Sequence, residues 1–132
     1  MKQITFCLLF VAAIFYQCQD NTHAQGEVLY TYYCANCHMD DGVGLKGNIP
    51  PLANADYIRE DPLRVACIIR NGLEGEIVVN GKTYNNPMAG YPELTKYEIA
   101  NIINYINQAW GNDYGFTNPQ KLAKRLEECT VE

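Results

Sequence analysis

Apolar residues recur at helical spacing in four segments of the chain, separated by stretches without any regular period. We predict helices over residues 26–37, 62–71, 95–111 and 119–129. The third has the clearest start, because Thr95 and Glu98 have the spacing of a capping box. Asp61-Pro62 and Asn71-Gly72 mark the two ends of the second. These elements predict an all-α fold in which the long third helix buries one face.

The packing face of the first helix is expected to consist of Val28, Leu29, Tyr32 and Tyr33. After it, residues 39–54 are rich in glycine and proline and are predicted to be a loop. Further on, the apolar residues 77–79 precede Asn80-Gly81, a pair typical of hairpin turns, so we predict a small hairpin followed by irregular chain over 85–88. A domain with this much loop needs other buried apolar mass for its core.

A leader precedes the predicted domain. Met1-Lys2 is followed by an apolar run over residues 4–16, which suits a signal-peptide core but is too short to span a membrane. Cleavage before Cys18 with a lipid on its sulfur, or cleavage after Ala24, would end this leader. We predict a lipoprotein-type signal peptide over residues 1–17, a tether over 18–25 and one domain over 26–132. The domain is then exported to the periplasm, and a lipid on Cys18 would anchor it to a membrane.

The composition of the chain limits the classes of molecule that it is expected to bind. The chain has 132 residues and a formal net charge of −5, which suits one acidic domain and disfavours nucleic acid as a partner. We expect a monomer that docks on the basic face of other proteins.

The pentapeptide Cys34-Ala35-Asn36-Cys37-His38 carries the candidate chemistry. Its C-x-x-C-H spacing lets both thiols bond to one edge of a haem while the histidine ligates the iron. At this composition roughly 0.004 such pentapeptides are expected by chance. The alternatives are a thioredoxin-like redox pair, a disulfide or half of a zinc site. The first needs a preceding strand and the last needs a second ligand pair, and the sequence predicts neither.

Two further questions concern residues outside this motif. Met88 is the methionine far enough along the chain from His38 to reach the opposite face of a haem, since Met39 adjoins His38 and Met1 belongs to the leader. Met88 is therefore the candidate second axial ligand.

Beyond the leader and the motif, Cys67 and Cys129 remain. They either form a disulfide or are separate thiols, and both interpretations stay open.

From residue 26 to about residue 126 the chain resembles the class I cytochromes c. The resemblance rests on C-x-x-C-H, on the glycine-rich loop after it, on Pro87-Met88, and on the third helix with its ending Trp110-Gly111-Asn112. It implies helices around one covalently bound haem c, with Cys34 and Cys37 as thioether positions and His38 and Met88 as axial ligands. It also implies that the carbonyl of Pro50 accepts a hydrogen bond from the His38 ring. Ala89-Gly90 departs from the family, in which a proline often follows the ligand methionine.

The resemblance implies a carrier of single electrons, which is not an enzyme and meets its redox partners transiently. One alternative is a haem-bearing electron-transfer subunit of a larger membrane or periplasmic oxidoreductase, because similar modules occur in dehydrogenases. Another is a small-molecule-binding haem protein in which Met88 leaves the iron.

Overall fold

The computed structural model describes residues 22–129, and about half of these are helical. The predicted signal peptide and residues 18–21 of the predicted tether lie outside this range. Within it, no helix has the length and apolar character needed to cross a membrane. The described residues form six α-helices: α1 Thr22–Tyr33, α2 Ala35–His38, α3 Asp56–Glu60, α4 Arg64–Asn71, α5 Lys96–Ile106 and α6 Pro119–Glu128.

Short strands accompany the helices. The prediction of an all-α fold is therefore not confirmed, although about half of the described residues are helical. The strands are β1 Gly72–Leu73, β2 Ile77–Val79, β3 Lys82–Tyr84 and β4 Met88–Ala89. The β2–β3 hairpin is the predicted one, and its turn residues Asn80 and Gly81 have the positive φ angles, 51° and 73°, that such a turn requires. The antiparallel β1–β4 pair was not predicted, because strands of two residues carry no recognisable period.

The centre of the core is the crossing of α1 and α5. Gly26 lies buried at this crossing, where an added Cβ would come within 2.8 Å of the Cβ of Tyr105 and clash with the carbonyl oxygen of Asn101. Glycine is therefore required for the two backbones to approach. The opposing face of α5 is almost fully buried, as the periodicity predicts, through Ile99, Ile102, Ile103 and Ile106.

The predicted packing face of α1 is half right, because Leu29 and Tyr33 are partly buried against the core but Val28 and Tyr32 are not. Val28 and Tyr32 are 69% and 79% exposed, whereas Tyr30 is 1% exposed. Tyr30 takes the buried position because Gly26, Tyr30 and Cys34 follow one another at four-residue spacing on the side that faces α5. Leucine, valine and tyrosine on both sides of the helix obscure this narrower face in the sequence.

Helix α1 also begins at Thr22, four residues before its predicted start, so residues 22–25 of the predicted tether are helical. Two side chains of this first turn contact α5. The ring of His23 packs edge-on against Tyr105 with centroids 5.2 Å apart, and the amide of Asn101 donates a hydrogen bond to Gln25 at 3.2 Å. The additional turn therefore belongs to the α1–α5 contact.

Helix α5 is shorter than predicted, because it ends at Ile106 instead of residue 111. The buried Asn107 turns its side chain away from the helix and donates to the carbonyl of Gly115 and the hydroxyl of Thr117. A 3-10 turn over Ala109–Gly111 follows, in which Trp110 has a positive φ of 55°. Tertiary hydrogen bonds thus end a helix that the apolar period alone would continue.

The second predicted helix, α4, starts later than expected, at Arg64. The carboxylate of Asp61 accepts from the backbone N–H groups of Leu63 and Arg64, so it stabilises the turn that leads into α4. The last helix, α6, packs on α4 and α5 through Leu122, which is fully buried. Its start is capped by Asn118.

A disulfide joins α4 to the end of α6. It links Cys67 and Cys129, whose Cα atoms are 5.5 Å apart and which are 62 positions apart in the sequence. Beside it, the guanidinium of Arg125 lies 3.3 Å from the carboxylate of Asp61. The structure therefore decides between the two interpretations of these cysteines in favour of the bridge.

Replacing both cysteines, as Cys67→Ser/Cys129→Ser, is expected to lower the free energy of unfolding by about 2–4 kcal/mol, because the bridge restricts the unfolded chain over a long loop. Guanidinium denaturation of the oxidised holoprotein measures this change. Lys124→Ala, an exposed substitution on the same helix, is the control and should alter stability by less than about 0.5 kcal/mol. Equal stability of the double variant and the wild type would contradict the expectation.

Candidate functional site

Helices α1 and α2 bring three candidate side chains to one end of the core. Cys34 lies between the two helices, and Cys37 and His38 are the last residues of α2. Cys34 and His38 are each 8% exposed, whereas Cys37 lies at the surface. The two thiols are not bonded to each other. The motif thus presents a buried sulfur, an exposed sulfur and a buried imidazole on one helical turn.

An apolar cleft begins at these side chains. It consists of two pockets of about 610 Å³ and 960 Å³, including their open mouths, which share part of their lining. The shared residues are Cys34, His38, Pro50, Leu73, Ile77 and Met88. The first pocket reaches the core at Ile58, Val65 and Ile69, and the second opens past Cys37, Tyr33 and Tyr91.

The imidazole of His38 is held by one hydrogen bond. Its Nδ1 lies 3.1 Å from the carbonyl oxygen of Pro50, the contact that the family resemblance implies. Since a carbonyl only accepts, Nδ1 carries the proton and Nε2 keeps its lone pair. Burial lowers the pKa of His38, while the hydrogen bond to Pro50 acts in the opposite direction. The ring is therefore neutral at pH 7, the form that ligates a metal.

The Cys34 thiol is also uncharged. Burial raises its pKa to about 12, and the neighbouring Cys37 contributes in the same direction. A thioredoxin-like pair needs a thiolate at neutral pH, so this environment disfavours that alternative. Among residues 22–129, no three His, Cys, Asp or Glu side chains lie close enough together to hold a metal ion.

Met88 lies in the same cleft as His38, on strand β4 rather than on the predicted irregular chain. It is opposite Leu73 in the pairing with β1. After it, the backbone N–H of Tyr91 donates to the carbonyl of Ile69 at 2.8 Å. Its side chain, which is half-buried, lines both pockets.

Two aromatic side chains that the sequence did not mark as part of the site hold the backbone after His38. The hydroxyl of Tyr30 donates to the carbonyl of Met39 at 2.6 Å, and the indole of Trp110 donates to the carbonyl of Asp40 at 2.9 Å. Trp110 is the single tryptophan of the chain and belongs to the ending Trp110-Gly111-Asn112 of the family resemblance, and these two signals could have suggested a special role.

Asn112 fixes the other end of the loop that contains Pro50. This side chain is buried, its Oδ1 accepts from the backbone of Asn54 at 2.7 Å, and its Nδ2 donates to the carbonyls of Leu52 and Ile106. One amide therefore connects the loop to the end of α5, which places the Pro50 carbonyl beside His38.

Tyr33 and Tyr91 border the open side of the cleft and were likewise not predicted. The hydroxyl of Tyr91 donates to the carbonyl of Tyr33 at 2.9 Å, and the two rings are 5.1 Å apart. This bond joins the end of α1 to the segment that follows Met88. Tyr33 directly precedes Cys34 and Tyr91 lies three positions after Met88, and this closeness in the sequence is the signal that could have found them.

The thiols, imidazole and thioether that line one apolar cleft form the donor set expected for a covalently attached haem. The sequence model that describes the family "Cytochrome c" matches residues 23–110. The chain belongs to the cytochrome c family. It is a class I c-type cytochrome, and such proteins carry electrons with covalently bound haem c.

Named relatives agree with this assignment. Over 93 residues the chain is 37% identical to cytochrome c-552 of Thermus thermophilus, an alignment that covers 67% of this chain and 70% of that protein. Cytochrome c-552 from a second source of the same species is also 37% identical, with 62% of its length covered.

A third relative is much longer. The cytochrome c subunit of alcohol dehydrogenase (quinone) of Gluconobacter oxydans is 34% identical over 91 residues, which are 67% of this chain and 19% of that subunit. The chain thus matches about one fifth of a protein whose name places it in an enzyme.

Proposed function

We propose that this cytochrome carries single electrons with one haem c, attached through Cys34 and Cys37 and ligated by His38 and Met88. The observation that carries the proposal is that all four side chains line one pocket. Haem bound there supplies a one-electron Fe(III)/Fe(II) couple. The pocket is apolar apart from its donor atoms and a few polar groups at its mouth, which fits a porphyrin.

The residues around the pocket affect the reduction potential of the Fe(III)/Fe(II) couple. The Pro50 carbonyl orients the His38 ring and increases its donor strength. The thioether of Met88 is a soft ligand that favours the reduced, less charged iron. Apolar neighbours such as Leu73 and Ile77 exclude water and act in the same direction. Together they favour a high reduction potential.

Partners are expected to meet the exposed side of the cleft. Cys37 is at the surface there, and Tyr33 and Tyr91 form its rim. A monomer with a net charge of −5 favours a partner with a basic docking face. Contact over a small area allows the rapid dissociation that a carrier needs.

In a second candidate function, the protein is the electron-transfer subunit of a larger oxidoreductase. The match to the alcohol dehydrogenase subunit supports it. Purification from native membranes in mild detergent discriminates between the two functions. A stable stoichiometric complex with a dehydrogenase or reductase favours the subunit, and recovery as a monomer favours the free carrier.

Covalent attachment is tested with cysteine variants of the matured protein. The double variant Cys34→Ser/Cys37→Ser should lose haem during denaturing electrophoresis, because no thioether bond then remains. The control Cys67→Ser should retain haem in the same gel, detected by its peroxidase stain. Haem that stays with the double variant would refute attachment at this motif.

Axial ligation is tested at Met88. Oxidised wild-type protein should show the weak far-red absorption band that this family owes to charge transfer between sulfur and iron, and Met88→Ala should abolish it. Met39→Ala is the matched control, since Met39 directly follows His38, and should keep the band. A band missing from the wild type, or one that survives in Met88→Ala, would exclude Met88 as the ligand.

The membrane anchor is proposed at Cys18, outside the described residues. Cleavage after Ala24 would remove His23 and its contact with Tyr105, whereas cleavage before Cys18 leaves α1 whole. Cys18→Ser should therefore move the protein from the membrane pellet to the supernatant after cell fractionation. Cys7→Ser, within the predicted leader, should leave it in the pellet. Sedimentation that is the same for both variants and the wild type would refute the anchor.

A further inference from the structure

We propose that the Cys67–Cys129 disulfide positions Met88 and sets how readily this residue is displaced from the iron. The proposal rests on the proposed function, because it takes Met88 as an axial ligand. Its basis is a continuous mechanical connection, from the bridge through α4 and β1 to the strand that carries Met88.

The first part of this connection is the junction of α4 and β1. Helix α4 ends at Asn71 and β1 begins at the next residue, Gly72. Strand β1 pairs with β4 so that Gly72 lies opposite Ala89 and Leu73 lies opposite Met88. Any displacement of the end of α4 is therefore transmitted to the Met88 strand without an intervening loop.

The second part is a close contact just after Met88. A Cβ added to Gly90 would lie 2.5 Å from the backbone nitrogen of Gly72 and 2.7 Å from the carbonyl oxygen of Arg70. In addition, the N–H of Tyr91 donates to the carbonyl of Ile69, in the last turn of α4. The segment that follows Met88 is thus packed backbone to backbone on α4 and has no free space in which to adjust.

The third part is the attachment of α4 itself. Cys67, one turn before the end of α4, is bonded to Cys129. Between α4 and the end of α6 lies a surface groove whose lining includes both cysteines, Met88 and Gly90. The ion pair between Arg125 and Asp61 also spans the two segments, but it is partly exposed and contributes little. The disulfide is therefore the covalent link between α4 and the end of α6, in addition to the packing contact that Leu122 makes.

Imidazole competes with a methionine for ferric iron, so titration of the oxidised holoprotein with imidazole measures how readily Met88 leaves. The loss of the far-red band reports the displacement. In Cys67→Ser/Cys129→Ser the dissociation constant of imidazole should fall about 5-fold or more, the lower end of the usual coupling between linked sites. Cys129→Ser leaves α4 unchanged in sequence and should give a similar fall.

Two variants serve as controls. Gly90→Ala opens the contact between the Met88 segment and α4 directly, so it should also lower the dissociation constant of imidazole. Asn104→Ala destabilises the contact between α5 and Thr117, because it removes two hydrogen bonds, and these bonds involve neither α4, β4 nor the turn that carries His38. It should lower overall stability and leave imidazole binding unchanged, which separates a positioning effect from a general loss of stability.

An imidazole dissociation constant that is unaltered in both cysteine variants would overturn the proposal. A fall of the same size in Asn104→Ala would also overturn it, since the effect would then follow stability alone. If the wild type lacks the far-red band, Met88 is not the ligand, and the proposed axial ligation fails together with this inference. The two failures are thus distinguished by the wild-type spectrum.

Discussion

The close crossing of α1 and α5 at Gly26 is the contact on which the His38 side of the site depends. It fixes the direction in which α1 ends, and α1 leads directly into the turn that carries Cys34 and His38. The same crossing buries Tyr30 against the Tyr105 ring, with centroids 5.2 Å apart. Tyr30 in turn holds the backbone after His38, so one approach between two helices positions both His38 and the backbone that supports it.

The site buries polar donors without burying charge. The His38 ring is neutral and the Cys34 thiol is protonated, because an ionised group in this apolar environment would lose its hydration without gaining a counter-charge. The carbonyl oxygen of Pro50 accepts a hydrogen bond from the one N–H of the neutral His38 ring. A lining of this kind penalises additional positive charge in the cleft, which is why it favours the reduced state of an iron centre.

Local signals account for what the sequence predicts correctly. The C-x-x-C-H motif, the Asn80-Gly81 turn and the Thr95 capping box each depend on a few adjacent residues, and the structure contains the turn and the cap. The features that were wrong or missed depend on distant contacts. The positive φ of Trp110 serves a hydrogen bond to Asp40, 70 positions away, and the pairing of β1 with β4 joins residues whose local sequence shows no strand period. The disulfide required knowledge of a separation in space.

The two proposed ligands therefore differ in how the fold holds them. His38 is next to a cysteine and is fixed by the central helix crossing, whereas Met88 is held by a two-residue strand pair on the end of α4. This difference explains the departure of Ala89-Gly90 from the family. A proline at position 89 would stiffen a free loop, but it lacks the N–H of a paired strand residue, and Gly90 is needed where the backbone meets α4. On the proposed role of the disulfide, the strand pair and the bridge behind α4 supply the rigidity that proline supplies elsewhere. Since local stability varies across a fold, we expect the proposed ligation by Met88 to respond to small changes in α4 before the core does.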